Sequence, residues 1–309
     1  MNLLITGASG FVGSHLLQRF LEKGISKVSI LLRDPENAWR LNGILEMPNL
    51  YVIHGSLNSP ETYKKKLKIF RPDVVVNLAW AGVEGGERNS EDQWNNVFYM
   101  LELLKISHQC GAKRFIGFGS QGEYGNLNNK ISEKDFERPT TVYCQSKLSA
   151  FKLGKVLADR LGIEFVWIRL FDPYGPKDGS NWFLSYIIKE LLEERSPKIT
   201  YAEQFWDYIY IDDVVDAIIK IINQENIYGV FNLGSGKSIQ LSEIVEKIRK
   251  IIGTDIEIQY GLVPYREDQI MHLEANIKKI SSQINWMPLV GIDDGLEKTV
   301  NWWKSNLGL

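Results

Sequence analysis

The stretch "ITGASGFVGSHL", Ile5 to Leu16, carries an apolar run into a helical pattern through Gly7, Gly10 and Gly13. Glycines at such a junction permit a tight turn, close approach of backbone to a pyrophosphate, and close packing of helix on strand. The free N–H groups at the helix start face the anion. In isolation a structural turn would read the same way. Here a strand pattern precedes the glycines, a helix pattern follows, and a second apolar run, "SILLRDPEN", comes about twenty residues later, the context a dinucleotide cradle requires. The residue closing that second run reads the adenosine ribose, an acid favouring the free 2′-hydroxyl and an arginine a 2′-phosphate. Arg33 comes first with Asp34 behind it. The order favours NADP(H) and leaves NAD(H) open, with Asp34 on the ribose.

Outward from this stretch, short apolar runs alternate with longer helical patterns. Leu3–Thr6, Val28–Leu32, Tyr51–Ile53, Val74–Leu78, Phe115–Phe118 and Phe165–Leu170 read as buried strands. Phe11–Glu22, Pro60–Phe70, Asp92–Cys110 and Val142–Leu161 read as the helices between them. Strands separated by helices of that length imply parallel crossovers, hence an α/β, Rossmann-like, doubly wound parallel sheet. Beyond Leu170 the rhythm changes to shorter elements and loops such as "DPYGPKDGSN", with helices expected at Trp182–Glu194, Asp212–Ile222, Leu241–Ile252 and Leu296–Ser305. We therefore divide the chain into a cofactor-binding part, 1–170, and a smaller mixed α/β C-terminal substrate-binding region, 171–309, folded as an interleaved lid rather than an independent module. The helices from Asp92 and Val142 are more apolar than one sheet face needs, which suggests a dimer interface.

Charge and composition narrow the function classes. A net charge of −2 gives no basic field for nucleic acid. No apolar run is long enough to span a bilayer, and strand pattern begins at once without a leader-like segment. The two cysteines, Cys110 and Cys144, suit a reducing compartment, and the four histidines share no metal-ligand spacing, so a cytoplasmic protein without a metal is expected.

The chemistry centres on "TVYCQSKLS", where Tyr143 and Lys147 stand four apart on one helical face. An ammonium about 5 Å from a phenol, at an effective dielectric near 20, favours the phenolate by roughly two pKa units. That would fit the phenol for proton transfer near neutrality. Ser120, at the end of the fifth strand in "FGSQGEYG", can hydrogen-bond a carbonyl oxygen or simply stabilise its turn.

These residues, with "NLAW", Asn96-Val97, "RLFDPYGP", "WDYIYIDDVVDA", "FNLGSG", "PYREDQ" and "NWMP", resemble the extended short-chain dehydrogenase/reductases, the nucleotide-sugar epimerase, dehydratase and ketoreductase group. The resemblance implies that Tyr143 is the acid/base, that Lys147 lowers its pKa and holds the nicotinamide ribose, and that Ser120 holds the substrate oxygen. It implies a cofactor over Gly7, Gly10, Phe11 and Val12, with Arg33 at the 2′-phosphate, Leu57 near adenine, and Leu78, Ala79 and Trp80 toward the nicotinamide. A nucleotide-diphosphate sugar would touch Trp80, Gln121, Asp172, Asn181, Trp206 and Arg266, the arginine clamping the diphosphate. A homodimer through a four-helix bundle is implied as well.

Departures from the family pattern narrow the reaction. Gln121 and Gly122 stand where dehydratases of this group carry an Asp-Glu pair, and Gly122 also replaces the cysteine of the 3,5-epimerising reductases. Hydride transfer with one proton remains. It serves an NADPH-dependent reductase of a 4-keto-6-deoxy nucleotide sugar, the favoured reading, or an NAD-dependent nucleotide-sugar 4-epimerase. A catalytically silent dinucleotide-bound regulator is the reading from another class. Trp206 where many members have arginine, Asp172 where many have asparagine, and Ser56 where aspartate is common mark substrate-side differences. Trp206 suits either stacking on a base or sugar, or packing in the core.

Overall fold

The computed structural model describes residues 1–24, 27–267 and 269–309. Its central sheet has seven strands: β1 (Asn2–Thr6), β2 (Lys27–Leu32), β3 (Leu50–His54), β4 (Val74–Asn77), β5 (Arg114–Ser120), β6 (Glu164–Leu170) and β7 (Gly229–Leu233). Their order is β7-β6-β5-β4-β1-β2-β3. The pairings from β6 to β3 are parallel and in register, Leu3 opposite both Val28 and Val74. The chain reverses direction along the sheet between β1 and β4, the switch point at which a crevice opens beyond the strand ends. Both faces of such a sheet are covered, so β5 is buried along its whole length, and β2 from Val28 onward.

Helices α1 (Phe11–Lys23), α2 (Lys64–Phe70), α3 (Gln93–Gln109) and α4 (Val142–Leu161) make the early crossovers. Helix α3 packs on α4, and Met100, Leu103 and Leu104 join Phe115, Phe165 and Trp167 in one buried cluster. Burying a side chain of this size contributes about 2 kcal/mol, and the cluster holds both helices against the sheet. Trp167 fits because Gly117 faces it, a Cβ there meeting the indole at 2.5 Å.

Two compact units result. One comprises Met1–Gly125, Phe136–Leu170 and Ala217–Phe231; the other comprises Asn126–Asp135, Phe171–Asp216 and Asn232–Leu309. The second contains α5 (Phe183–Leu192), the start of α6 (Ile211–Asn223), α7 (Leu241–Ile252), α8 (Lys278–Ile284) and α9 (Ile292–Leu307). Its strands are two residues long: Phe205–Trp206 pairs antiparallel with Ile239–Gln240, Ile209–Tyr210 pairs parallel with Pro173–Tyr174, and Glu274–Ala275 pairs parallel with Lys130–Ile131.

Four elements differ from the sequence reading. The expected helix Pro60–Phe70 is a 3-10 turn, Pro60–Thr62, then α2, because the fully buried Tyr63 leaves helical backbone at φ −122° between them. Strand β7 and helix α8 were not anticipated, and α9 starts at Ile292 rather than Leu296.

Candidate functional site

Gly7 follows β1 at φ +73°, where a Cβ would lie 2.6 Å from Ala79 N, so the β4 end and the glycine loop meet with no room for a side chain. The turn closes through Gly10 N donating to Gly7 O at 3.0 Å, and α1 begins with no side chain capping it and no acid in its first turn. Phe11 and Val12 open that helix. Leu78 N donates to Thr6 O at 3.1 Å, which ties Leu78, Ala79 and Trp80 to the same strand ends. Arg33 is exposed just past β2, and Asp34 accepts from Asn37 N at 3.4 Å and Asn37 Nδ2 at 2.5 Å. Those bonds hold the Asp34 carboxyl below its ordinary range. Leu57 packs against the cluster under α3 and lines a cavity with Phe98, Tyr99, Leu101 and Leu157.

Ser120, the last residue of β5, caps the 3-10 turn Gln121–Tyr124. Its Oγ accepts from Gly122 N at 3.2 Å while its own N–H donates to Glu123 Oε1 at 3.1 Å, a capping box of the Ser-x-x-Glu kind. The same hydroxyl donates to Gln121 Oε1 and favours ionisation of the Tyr143 phenol. Turn and site thus share one serine. Glu123 is fully buried and accepts from Trp167 Nε1 at 3.0 Å and Arg169 Nε at 2.8 Å; Arg169 also donates to Glu137 at 2.9 Å. Burial holds the Glu123 carboxyl above its usual range against the pull of Arg169.

Helix α4 starts at Val142 because Thr141 Oγ1 accepts from Cys144 N at 3.2 Å, and its first two turns carry Tyr143 and Lys147. Lys147 is buried; its Nζ donates to Phe118 O at 2.7 Å and lies 4.0 Å from the Trp80 ring centroid and 5.7 Å from that of Tyr143. The Trp80 and Tyr143 rings meet edge to face at 6.4 Å. Ser120, Tyr143, Lys147 and Trp80 therefore form one cluster.

The electrostatics differ from the sequence expectation. Burial raises the Tyr143 phenol above its ordinary value, and Arg88 opposes the rise. The ammonium is itself pushed down to about 7 by burial and is drawn to a carbonyl of β5 rather than to the phenol. Desolvation outweighs the expected Coulomb gain because both groups leave water together.

Sequence reasoning missed Arg88, Gln93 and Glu123. Arg88 lies in the 3-10 turn Gly85–Asn89, its guanidinium carbon 4.7 Å from the Tyr143 ring centroid. Gln93, 1 % exposed, accepts from Trp80 Nε1 at 2.7 Å and donates to Gly82 O at 2.6 Å and Glu87 O at 3.1 Å. The Ser-x-x-Glu spacing was a usable signal for Glu123; none pointed to the other two.

In the second unit, Trp206 Nε1 donates to Asp172 Oδ2 at 2.7 Å, so two of the departures from the family pattern are partners. Trp206 is half-buried, between the two alternatives read for it. Asn181 and Arg266 are exposed, and Asp268 of the "PYREDQ" motif lies outside the described residues.

Residues 3–234 match the model of the NAD dependent epimerase/dehydratase family. The chain belongs to that family. It is 29 % identical to CDP-abequose synthase of Salmonella muenchen, covering 97 % of each chain. It is 26 % identical to UDP-glucuronate 4-epimerase of Thermodesulfobacterium geofontis, over 99 % of this chain and 97 % of that one. Among solved structures, UDP-N-acetylglucosamine 4-epimerase from Methanobrevibacter ruminantium M1, in complex with UDP-N-acetylmuramic acid, superposes with a TM-score of 0.89 at 27 % identity, over 99 % of this chain and 98 % of that one. The dinucleotide that the family name implies fits the glycine cradle, whose close backbone approach at Gly7 and uncapped helix start suit a pyrophosphate.

Among the described residues no helix is long and apolar enough to cross a membrane.

Proposed function

We propose that this protein is an NADPH-dependent ketoreductase of a 4-keto-6-deoxy nucleotide sugar, with Tyr143 as proton donor, Ser120 holding the carbonyl oxygen and Lys147 holding the nicotinamide ribose. The observation that carries this reading is the cluster of Ser120, Tyr143 and Lys147 against Trp80, where burial favours the protonated phenol. Carbonyl reduction starts with an acid, whereas oxidation of a sugar hydroxyl starts with a base. The bound cofactor supplies hydride to the carbonyl carbon. As that C–H bond forms, Tyr143 gives its proton to the carbonyl oxygen, and an alcohol results. An alkoxide is more basic than a phenolate, so this transfer runs downhill even from a raised phenol. Gln121 and Gly122 offer no second acid or base, and Glu123 is committed to Arg169, which argues against dehydration.

Asp34, occupied with Asn37, and the exposed Arg33 support a 2′-phosphate, hence NADP(H). Gly7, Gly10, Phe11, Val12, Leu57, Leu78, Ala79 and Trp80 are the remaining cofactor contacts of this reading. Trp80, Gln121, Asp172, Asn181, Trp206 and Arg266 are its nucleotide-sugar contacts. The likeness to CDP-abequose synthase supports reduction. The 4-epimerase relatives support the second reading, an NAD-dependent nucleotide-sugar 4-epimerase. Exposed Trp94, Phe98, Leu153 and Val156 on α3 and α4 support a homodimer through a four-helix bundle, and the two free, buried cysteines support a cytoplasmic setting.

The test incubates purified protein with NADPH or NADH and CDP-, dTDP- and UDP-linked 4-keto-6-deoxyhexoses, and separately with UDP-hexoses and NAD. Stoichiometric loss of NADPH with one new alcohol is expected. Interconversion of UDP-hexoses without net cofactor turnover would favour the epimerase, and silence in every arm the regulator.

A further inference from the structure

The Arg88 guanidinium lies over the Tyr143 ring, its carbon 4.7 Å from the centroid, and Nη2 donates to Cys144 Sγ at 3.8 Å. Its Nε is buried with no hydrogen-bond partner, and no carboxylate among the described residues pairs with it. A half-buried cation left unneutralised against an aromatic face is costly unless the face, or a charge formed on it, repays the desolvation. The turn that carries Arg88 is built to stay in place. Gln93, buried at the start of α3, binds the carbonyls of Gly82, ahead of the turn, and Glu87, within it, and the Trp80 indole at its root. Asn96 adds two bonds to Ala81, accepting from its N–H at 3.0 Å and donating to its carbonyl at 3.1 Å.

From this geometry we infer that Arg88 is a positioning residue for the reaction, supplying a cation that stabilises Tyr143 once its proton has been given up. The inference rests on Tyr143 being the proton donor. It adds Arg88 as a second cation beside Lys147, whose ammonium lies 5.7 Å from the Tyr143 ring centroid and donates to Phe118 O. The groups facing the phenol are few. Arg88 approaches from the Gly85–Asn89 turn, Ser120 and Glu123 from the end of β5, and Cys144 and Lys147 from α4 itself. Glu123, paired with Arg169, opposes the phenolate, and Arg88 favours it.

The test needs no turnover. Tyrosinate absorbance is titrated in the full chain with NAD bound, and the Tyr143→Phe protein is subtracted to isolate residue 143. The same difference is taken in an Arg88→Gln background and an Arg88→Lys background. Arg88→Gln is expected to delay the onset of the residue-143 signal by about one pH unit, and Arg88→Lys by less, because the charge remains. Coincident curves in the three backgrounds, or no signal from residue 143 in any, would overturn the inference. Where NADPH consumption is found, kcat for Arg88→Gln should fall roughly tenfold with KM for the keto-sugar nearly unchanged. A rise in KM alone would make Arg88 a substrate contact and overturn the inference. Failure of the ketoreductase reading leaves the titration intact, so the two outcomes are distinguishable.

Discussion

The two compact units satisfy their backbones by different means. In the first, long parallel strands bond to one another, and the buried charges, Glu123 and Arg169, neutralise each other within the apolar interior. In the second, the strands are too short to bond much to each other, and buried acids accept the N–H groups left over. Asp207 takes Ser235 N at 2.7 Å, Gly236 N at 3.0 Å and Ala275 N at 2.9 Å; Asp213 takes Leu289 N and Val290 N. One architecture rests on periodicity, the other on single side chains at fixed points.

The sharpest contrast comes from deleting one acid in each unit. Glu123→Ala leaves the buried Arg169 guanidinium with only Glu137 as an acid partner and should lower stability by about 3–5 kcal/mol in urea unfolding. Asp207→Ala removes the acceptor of three backbone N–H groups and the Ser235 hydroxyl, with no cation left behind, and should cost about 2–3 kcal/mol because water can reach the Ser235 loop. Hydrogen exchange should then report loss of protection around Ser235 and Ala275. Equal losses in both variants would erase the contrast between cation-paired and amide-paired acids.

A smaller effect separates stability from function within the first unit. The Lys147 ammonium is pushed from an ordinary value of 10.5 down to about 7. Between those values the unfolded chain binds a proton that the folded chain does not, so stability rises with pH across that window. The slope approaches ~1.4 kcal/mol per pH unit for one proton, or about 2 kcal/mol from pH ~7.5 to ~9.5. Lys147→Met should flatten this slope in paired urea titrations while NADPH consumption falls at every pH. An unchanged slope would mean that the ammonium is solvated rather than buried.

The same contrast explains what the sequence made legible. Strands β1, β2, β4, β5 and β6 are buried runs between turn residues, and their burial leaves one interpretation of the pattern. Strand β3, at the sheet edge, reads as buried in the sequence yet buries only Ile53 and exposes Tyr51. Tyr143 and Lys147 were readable because a helix fixes which residues share a face. In β7 the buried Asn232, which donates to Ile131 O, interrupts the apolar run and reads as a turn. Helix α8 buries only Ile280 and Ile284, too little for a period to emerge. Asp293, Asp294 and Gly295 look like a loop, yet they open α9, with Gly295 admitting the Tyr174 hydroxyl. Arg88 and Gln93 depend on carbonyls and a ring brought together only by the fold, and no spacing rule encodes that.

Helix starts give the finest form of the comparison. Helix α4 is capped by Thr141, whereas α7 begins at Gln240 with no side-chain cap. Thr141→Ala frees the Cys144 N–H and should cost about 1 kcal/mol. Tyr143 sits in the turn that frays first, so kcat should fall further than the stability loss alone accounts for. Gln240→Asp in α7 supplies an oxygen for the open N–H groups and a charge favourable to the helix dipole, and should gain about 0.5–1 kcal/mol with kcat unchanged. Thermal unfolding and NADPH consumption measured on both variants decide the matter. A Thr141→Ala protein with full kcat would mean that packing of Tyr143 against Trp80, rather than the cap, holds the phenol in place.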